Sequence, residues 1–249
     1  MTPPRASLET QHLAKSFQRG KSLVQPLLDV NLKIYPGECV GLMGPNGTGK
    51  STLLRILSTL VLPDHGSVTI QGQPLSRKIE IRKHIGLLTA NERNFYWRLT
   101  GRENLVFFGT LMGLEKHTLK PRILELIAQL ECGDYIDRRF DTYSSGMKQN
   151  LSLARALLHQ PDILLLDEPT RSLDVEATRR FSQQLKKLKD SGQHSILMAT
   201  HNALLAWEVC NRVLTMDNGK ITKDRKKIKE LAAPVAHRIN THYLSVAEI

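Results

Sequence analysis

The sequence predicts an α/β fold with a mostly parallel sheet, an N-terminal antiparallel β part and an inserted α-helical subdomain. Two observations carry this prediction. Short, uninterrupted apolar runs recur along the chain, as is typical of strands that are buried on both faces. Stretches with helical spacing of apolar residues lie between them. Alternation of strands and helices in this way builds a parallel sheet.

The individual elements follow in chain order. Residues 8–34 read as two extended stretches that are interrupted by polar residues and Gly20. The first interior strand is predicted at Cys39–Met43, and the apolar spacing of Lys50–Leu57 predicts a helix. Further interior strands are predicted at 163–166 and Ser195–Ala199, and further helices near 146–159 and Val175–Asp190.

Two segments depart from this alternation. Helical patterning dominates from residue 92 to residue 141, which predicts a helical insert at about 92–160. From Lys223 to Lys229 basic residues outnumber acidic ones, so residues 223–249 are predicted to form a basic, partly helical tail outside the core.

Composition excludes several classes of protein. Among 249 residues, 35 Lys and Arg face 24 Asp and Glu, and the net charge of +11 favours a polyanionic partner or an anionic membrane surface. No run approaches the roughly 18 apolar residues of a membrane span, and the first residues do not resemble a secretory signal. The odd, scattered Cys39, Cys132 and Cys210 suggest neither disulfides nor a zinc site, which fits a reducing cytosol.

A phosphate-binding loop is predicted between the strand Cys39–Met43 and the helix after it. The segment fits the pattern G-x-x-x-x-G-K-[ST], which marks the core of a P-loop NTPase. Its glycines allow backbone N–H groups to surround phosphate oxygens, Lys50 reaches the β- and γ-phosphates, and the Ser51 hydroxyl completes a Mg²⁺ shell. The predicted nucleotide-binding residues are Gly44, Pro45, Asn46, Gly47, Thr48, Gly49, Lys50, Ser51 and Thr52.

Two carboxylates follow the predicted strand at 163–166. Because the carboxyl ends of parallel strands bind ligands in α/β folds, Asp167 suits a Mg²⁺ contact beside Ser51. Glu168 suits activation of an attacking water. His201 follows the strand at Ser195–Ala199, where it is placed to sense or position a γ-phosphate.

With these motifs in place, the segment Tyr143-Ser144-Ser145-Gly146-Met147-Lys148-Gln149 resembles the signature motif of ATP-binding cassette (ABC) proteins. The phosphate loop then corresponds to Walker A, 163–168 to Walker B, Ser172-Leu173-Asp174 to the D-loop, and His201 to the switch histidine. The resemblance covers about 7–222, which we take as a nucleotide-binding ATPase domain. It implies an enzyme that binds and hydrolyses ATP with Mg²⁺.

The resemblance also implies a dimer. Ser144 can cap the signature helix and Gly146 permits close approach of a phosphate, yet the chain has a single phosphate loop. In ABC proteins the signature of one cassette completes the nucleotide site of another. We therefore expect a second cassette, with an identical copy as the simplest partner, and Asp174 near the shared interface.

The resemblance implies two further residues of the predicted site. Phe17 stands where these proteins place an aromatic ring that stacks on adenine, although a core role is the alternative. The family's glutamine loop departs from the usual pattern. Counting forward from residue 88 places Ala90 at the glutamine's position, whereas counting back from Glu103 places Glu92 there. We favour Glu92, as a further Mg²⁺ ligand.

The resemblance implies a subunit of a transporter. The form of the signature is similar to exporter cassettes of the ABC-2 type. The aromatic cluster Phe95-Tyr96-Trp97 lies where a transmembrane permease docks, with local packing as the alternative. We expect a peripheral location at the cytoplasmic face of the inner membrane. The alternative is a soluble ABC ATPase acting on ribosomes or nucleic acid. The single cassette and the short gap before Ser144 favour the transporter, without nucleic acid.

Overall fold

The structure is a computed structural model that describes residues 5–20, 22–89 and 95–226. A parallel-rich sheet lies at its centre, with a smaller antiparallel sheet and two helices on one face and the other described helices on the opposite face. The strands are β1 Leu8–Arg19, β2 Ser22–Ile34, β3 Cys39–Met43, β4 His65–Ile70, β5 Gln73–Pro74, β6 Ile85–Thr89, β7 Ile163–Asp167, β8 Ser195–Ala199, β9 Arg212–Asp217 and β10 Lys220–Lys226. The helices are α1 Lys50–Leu57, α2 Lys78–Lys83, α3 Gly101–Leu111, α4 Lys116–Gln129, α5 Ser145–Leu157, α6 Val175–Asp190 and α7 Ala203–Val209.

The central sheet has the strand order β10-β9-β3-β8-β7-β6, and all its pairings except β10 with β9 are parallel. Every residue of β3 and β8 is buried, as the uninterrupted apolar runs predict. Successive side chains of β7 enter different cores: Leu164 and Leu166 face one, and Ile163 and Leu165 face the other. This alternation is the direct consequence of the two-residue period of a strand.

The antiparallel sheet has the order β2-β1-β4-β5 and covers one of these two cores. Residues Leu13 and Val30 of the long β1–β2 hairpin pack in the same core as Leu53 of α1 and Leu42 of β3. A mostly parallel sheet with an N-terminal antiparallel part was the predicted fold class, and the structure confirms it.

Helices α3, α4 and α5 lie between β6 and β7 in the chain and pack against the opposite core. Thr100 and Glu103 form a capping box at the start of α3, and these two residue types three positions apart are a local helix-start signal. The three helices fall inside the predicted insert at about 92–160, whose outer boundaries stay a prediction.

The prediction of a separate, partly helical tail from Lys223 is wrong for its first residues. Lys223–Lys226 belong to β10, which pairs antiparallel with β9 at the edge of the central sheet. Arg212 on β9 holds this strand by two hydrogen bonds of 2.7 Å to the Asp224 carboxylate. The boundary after residue 222 therefore falls inside a strand, and the rest of the predicted tail, 227–249, lies outside the described residues. Charged residues suit an exposed edge strand because they oppose pairing with further strands.

Candidate functional site

The predicted phosphate loop joins β3 to α1 at the carboxyl edge of the central sheet. Gly49 is the N-cap of α1, with a φ of 104°, and no side chain caps the helix there. A Cβ on Gly49 would collide with the carbonyl oxygen of Pro26, and one on Gly44 with that of Met216. The loop therefore requires glycine at both positions. It leaves the first N–H groups of α1 available to an anion.

Lys50 directs its ammonium group into this loop. Its Nζ donates hydrogen bonds to the carbonyl oxygens of Gly44 at 2.7 Å and Pro45 at 2.8 Å, and the residue is only 6% exposed. Burial lowers the pKa of Lys50, while Glu168 and Asp167 oppose that shift. The cation thus has neutral partners in the loop, and a phosphate group would bind it more strongly.

Ser51 and Asp167 are 116 positions apart in the chain and meet at the end of β7, where the Ser51 hydroxyl donates to the Asp167 carboxylate at 3.0 Å. Burial raises the pKa of Asp167, and the bond from Ser51 works in the opposite direction. Hydroxyl and carboxylate oxygens are the donors that Mg²⁺ prefers, together with phosphate oxygens and water. The pair therefore fits the predicted metal site. Glu92, the third predicted ligand, lies outside the described residues.

Glu168 adopts a φ of 48°, in the left-handed region that side chains other than glycine seldom occupy. Its N–H donates to the Ala199 carbonyl on the neighbouring strand β8 at 2.9 Å. One carboxylate oxygen lies 2.9 Å from Nδ1 of His201. Glu168 is largely enclosed and His201 is more exposed, so the pair stands at the rim of the site with the carboxylate held in place. The structure thus brings together the predicted catalytic residues.

The signature segment begins helix α5. Ser144 is its N-cap, and its hydroxyl accepts a hydrogen bond from the N–H of Met147. A Cβ on Gly146 would lie 3.3 Å from the Cβ of Ala177 on α6, so this glycine lets the two helices approach closely. Asp174 caps α6 by accepting from the N–H of Ala177 at 2.7 Å. The predicted signature and D-loop residues are therefore neighbours.

A cavity of about 340 Å³ lies beside these two helix starts and is lined by Ser144, Gly146 and Asp174, among others. Among the described residues that line it, none belongs to the phosphate loop. The phosphate loop and the start of the signature helix are thus two separate surfaces of one chain.

Phe17 lies on β1 and is 40% exposed, with the Lys15 ammonium group 5.2 Å from its ring centroid. The β1–β2 hairpin borders the phosphate loop, because Pro26 and Leu27 of β2 restrict the space at Gly49. The ring is thus available on an element next to the loop. Its contact with adenine stays a prediction.

The aromatic cluster divides between core and surface. Phe95 is buried and stacks on Phe140, with ring centroids 4.8 Å apart, whereas Tyr96 and Trp97 are 51% and 55% exposed. Lys148 of the signature segment places its ammonium group 5.9 Å from the Trp97 ring centroid. One ring therefore packs locally and two face outward, and the docking of a permease at this cluster stays a prediction.

An apolar groove is lined in part by α3, the helix whose Phe107 contacts the Tyr96 ring. Its volume is about 890 Å³, and its walls come from α2 and β6 on one side and from α3 and α5 on the other, with Ile79, Leu87, Phe108 and Leu111 among the lining residues. Leu111 and Ile79 are 73% and 74% exposed. Within the described residues, no helix combines the length and the hydropathy needed to cross a bilayer.

Sequence reasoning missed one residue that contacts the site. Gln149 of α5 is 8% exposed, and its amide nitrogen donates to the carbonyl oxygen of Pro169, directly after Glu168, at 2.6 Å. Helical spacing places Gln149 on the same face as the buried Leu153 and Ala156. That spacing could have indicated its burial, although nothing in the sequence names its partner.

Comparison with known proteins agrees with this geometry. A family profile described as ABC transporter matches residues 27–171. The ABC transporter ATP-binding protein NatA of Bacillus subtilis is 38% identical over 209 residues, which cover 84% of this chain and 85% of NatA. The Nod factor export ATP-binding protein I of Paraburkholderia xenovorans is 34% identical over 218 residues, which cover 87% of this chain and 70% of that protein.

The solved structures that resemble this fold include the ATP-binding cassette MJ0796 as a dimer in a post-hydrolysis state, bound to ADP and Pi. It matches with a TM-score of 0.78 and 28% identity, over 88% of this chain and 98% of the cassette. A second dimeric structure of the same cassette matches with a TM-score of 0.79.

Proposed function

Because the chain belongs to the ABC transporter family and is an ATP-binding, ATP-hydrolysing subunit, we propose that it powers an exporter through a separate permease of the ABC-2 type. The single observation that carries the assignment of the site is the convergence of Lys50, Ser51, Asp167 and Glu168 at one edge of the sheet. Export is supported by the name of the Nod factor relative and by the form of the signature.

ATP binding follows from the phosphate loop. The uncapped N–H groups of α1 and the Lys50 ammonium group hold the phosphates, and Phe17 stacks on adenine. Ser51 and Asp167 would hold Mg²⁺, which supplies positive charge to the β- and γ-phosphates. Glu92 is a further proposed ligand.

Hydrolysis of ATP is carried out with the pair Glu168 and His201. Glu168 accepts a proton from the attacking water, and His201 keeps the carboxylate in position through its 2.9 Å contact. Lys50 stabilises the negative charge that develops on the transferred phosphoryl group. Removing the Glu168 carboxylate charge should therefore affect the chemical step far more than binding.

A second cassette completes each site. Ser144 and Gly146 begin a helix whose N-terminus attracts anions, yet no residue of the same chain's phosphate loop lines the cavity beside them. We propose a homodimer in which the signature of one copy contacts the γ-phosphate held by the other. The dimeric cassette structures similar to this chain support that arrangement.

The permease occupies the groove beside Leu111 and the exposed rings of Tyr96 and Trp97. An exposed apolar surface of this size, rimmed by polar residues, marks a protein interaction site. The cassette then lies peripherally at the cytoplasmic face of the inner membrane, where its net charge of +11 adds attraction to anionic lipids. Nucleic acid has no role in this proposal.

The decisive test of the chemistry is Glu168→Gln. We expect ATP binding to persist while kcat falls by a factor of about 100 to 10,000, the usual contribution of a general base. An ATP-dependent dimer should then accumulate, which size-exclusion chromatography with and without ATP measures. Hydrolysis at the normal rate in this variant would show that Glu168 is not the base.

The permease proposal is tested by co-purification from membranes. The full chain should bring down a multi-span membrane protein, and Tyr96→Ala with Trp97→Ala should weaken that capture while ATP binding is retained. Tyr35→Ala, at an exposed aromatic residue that follows β2, is the matched control. Capture of ribosomes or DNA in place of a membrane protein would contradict the proposal.

A further inference from the structure

Gln149 links the signature helix to the backbone of the proposed base. Its side chain is 8% exposed, and its Nε2 donates to the Pro169 carbonyl at 2.6 Å. Pro169 follows Glu168 directly. A buried carbonyl group needs a hydrogen-bond partner, and here the partner comes from a different element of the fold.

The backbone at Glu168 needs such support because its φ of 48° is unfavourable for a side chain other than glycine. Strand β8 holds its N–H through the Ala199 carbonyl, and the Arg171 N–H holds its carbonyl at 3.2 Å. Gln149 adds a third restraint one residue later. The position of the Glu168 carboxylate therefore depends on β8, on the following turn and on α5.

Helix α5 also carries the groups that would meet the second cassette. Ser144 caps it and Gly146 lies in its first turn, while Gln149 follows three residues after Gly146, less than one turn further on. The backbone hydrogen bonds of α5 keep the short segment between its first turn and Gln149 rigid. A displacement of the first turn is therefore transmitted to the Gln149 side chain. Contact at the signature and the backbone beside Glu168 are thus joined by one helix and one hydrogen bond.

We propose that Gln149 is a positioning residue that makes hydrolysis at one phosphate loop depend on engagement of the same chain's signature helix. When Ser144 and Gly146 of a protomer contact the ATP held by its partner, Gln149 sets Pro169 and therefore Glu168 for attack on the protomer's own ATP. The two sites of the dimer are coupled in this way. The inference rests on the proposed function of Glu168 and of the dimer.

The test is Gln149→Met in the full chain, a change that keeps length and burial but removes the donor. We expect kcat to fall about tenfold, as loss of a positioning hydrogen bond implies, with KM for ATP unchanged. The Hill coefficient for ATP should also fall, because engagement of the signature helix then no longer acts on Glu168 of the same chain.

Thr10→Val is the matched control. Thr10 is 2% exposed, and its hydroxyl donates to a backbone carbonyl of another element, that of Val30 on β2, at 2.9 Å. We expect this control to lower the free energy of unfolding in the same way as Gln149→Met and to leave kcat unchanged. An equal fall in kcat for both variants would overturn the proposal, since it would reduce Gln149 to a structural role.

A double-mutant cycle separates this proposal from the assignment of the base. In a Glu168→Gln background, Gln149→Met should change the residual single-turnover rate by less than about twofold because it acts through Glu168. A further tenfold loss there would overturn the positioning role, as would an unchanged kcat for Gln149→Met alone. Normal hydrolysis by Glu168→Gln itself would instead overturn the proposed function.

Discussion

At the carboxyl edge of the central sheet, Lys50 and Asp167 hold charges that are partly removed from water. The amino edge of the same sheet carries two histidine rings, that of the buried His194 and that of the half-buried His159. Burial lowers the pKa of Lys50 and raises that of Asp167, so both charged forms are disfavoured by their surroundings. The left-handed φ of Glu168 adds backbone strain beside them.

The two histidine rings at the amino edge are instead held by hydrogen bonds to backbone carbonyls. His159 bonds to the carbonyl of Ile85 at 3.0 Å and His194 to that of Pro161 at 2.7 Å. Desolvation by burial is the main cause that lowers the pKa of both rings. Neutral rings bonded to carbonyl groups stabilise the fold without leaving a charge unpaired.

The contrast shows that the groups that lower the stability of the fold are concentrated at the carboxyl edge. Charges and strain stand at the edge where parallel strands bind ligands. At the other edge, each of the two enclosed histidine rings bonds to a backbone carbonyl and is favoured in its neutral form. We therefore expect substitutions at the carboxyl edge to reduce activity with little loss of stability, and changes at the amino edge to do the reverse.

The largest effect is expected for Asp167→Asn. Loss of a carboxylate from the proposed Mg²⁺ site should lower kcat about a hundredfold or more. Because the pKa of Asp167 is raised in the folded protein, its ionised form costs stability at neutral pH. The free energy of unfolding in urea should therefore rise, by up to about 1 kcal/mol after allowance for solvent screening. A marked fall in stability would break the contrast.

Lys50→Ala should weaken ATP binding about ten- to a hundredfold, since a hydrogen bond to a charged group is lost. Its carbonyl partners in the loop are open enough to bond with water, so the free energy of unfolding should change by less than about 1 kcal/mol. Calorimetric titration with ATP measures the affinity, with Lys120→Ala, at an exposed lysine of α4, as the control. Unaltered affinity would remove Lys50 from the site.

At the amino edge we expect a pH dependence of stability. Because His159 and His194 have lowered pKa values in the folded protein, the unfolded chain binds protons more readily near its ordinary His pKa of about 6.5. Stability is then complete above that pH and falls as the pH drops below it, by about 1 kcal/mol or less per ring for each pH unit. Arg122 adds to the shift of both rings, and Asp162 opposes that of His194.

Urea unfolding at pH 7.5 and pH 5.5 measures this dependence. His194→Gln should flatten it, whereas His117→Gln, at an exposed histidine on α4, should leave it unchanged. ATP affinity at neutral pH should be the same in both variants. A profile that His194→Gln does not alter would assign the dependence to other groups.

The smallest effect is expected for Asp162→Asn. Asp162 pairs with His84 at 2.6 Å, but the Asp162 side chain is exposed and that of His84 is half-exposed. Pairs of this kind contribute about 0 to 1 kcal/mol, and salt screens them. We expect a loss within that range in urea unfolding and unchanged kcat. A loss in kcat here would show that the amino edge also acts in catalysis.

Much of the site could be predicted from the sequence because its signals are local. The phosphate loop requires Gly44, Gly49 and Lys50 at fixed spacing, and the Walker B carboxylates directly follow an apolar run. The prediction of a tail from Lys223 is wrong because an exposed edge strand shows little alternation of apolar and polar residues. From residue 222 onward, every residue of β10 is exposed. Its strand pairing depends on β9 and on Arg212.

By itself, the sequence determined the fold class, the family and the residue types of the nucleotide site. The glycine-rich turn, the helix N-termini and the buried strands are each specified by residues that are adjacent in the chain. Only the tertiary structure decided that Ser51 meets Asp167, that His201 holds Glu168 and that Gln149 reaches Pro169. These contacts join different strands and helices. They form only when the order of strands in the sheet and the packing of α5 bring the partners within hydrogen-bonding distance.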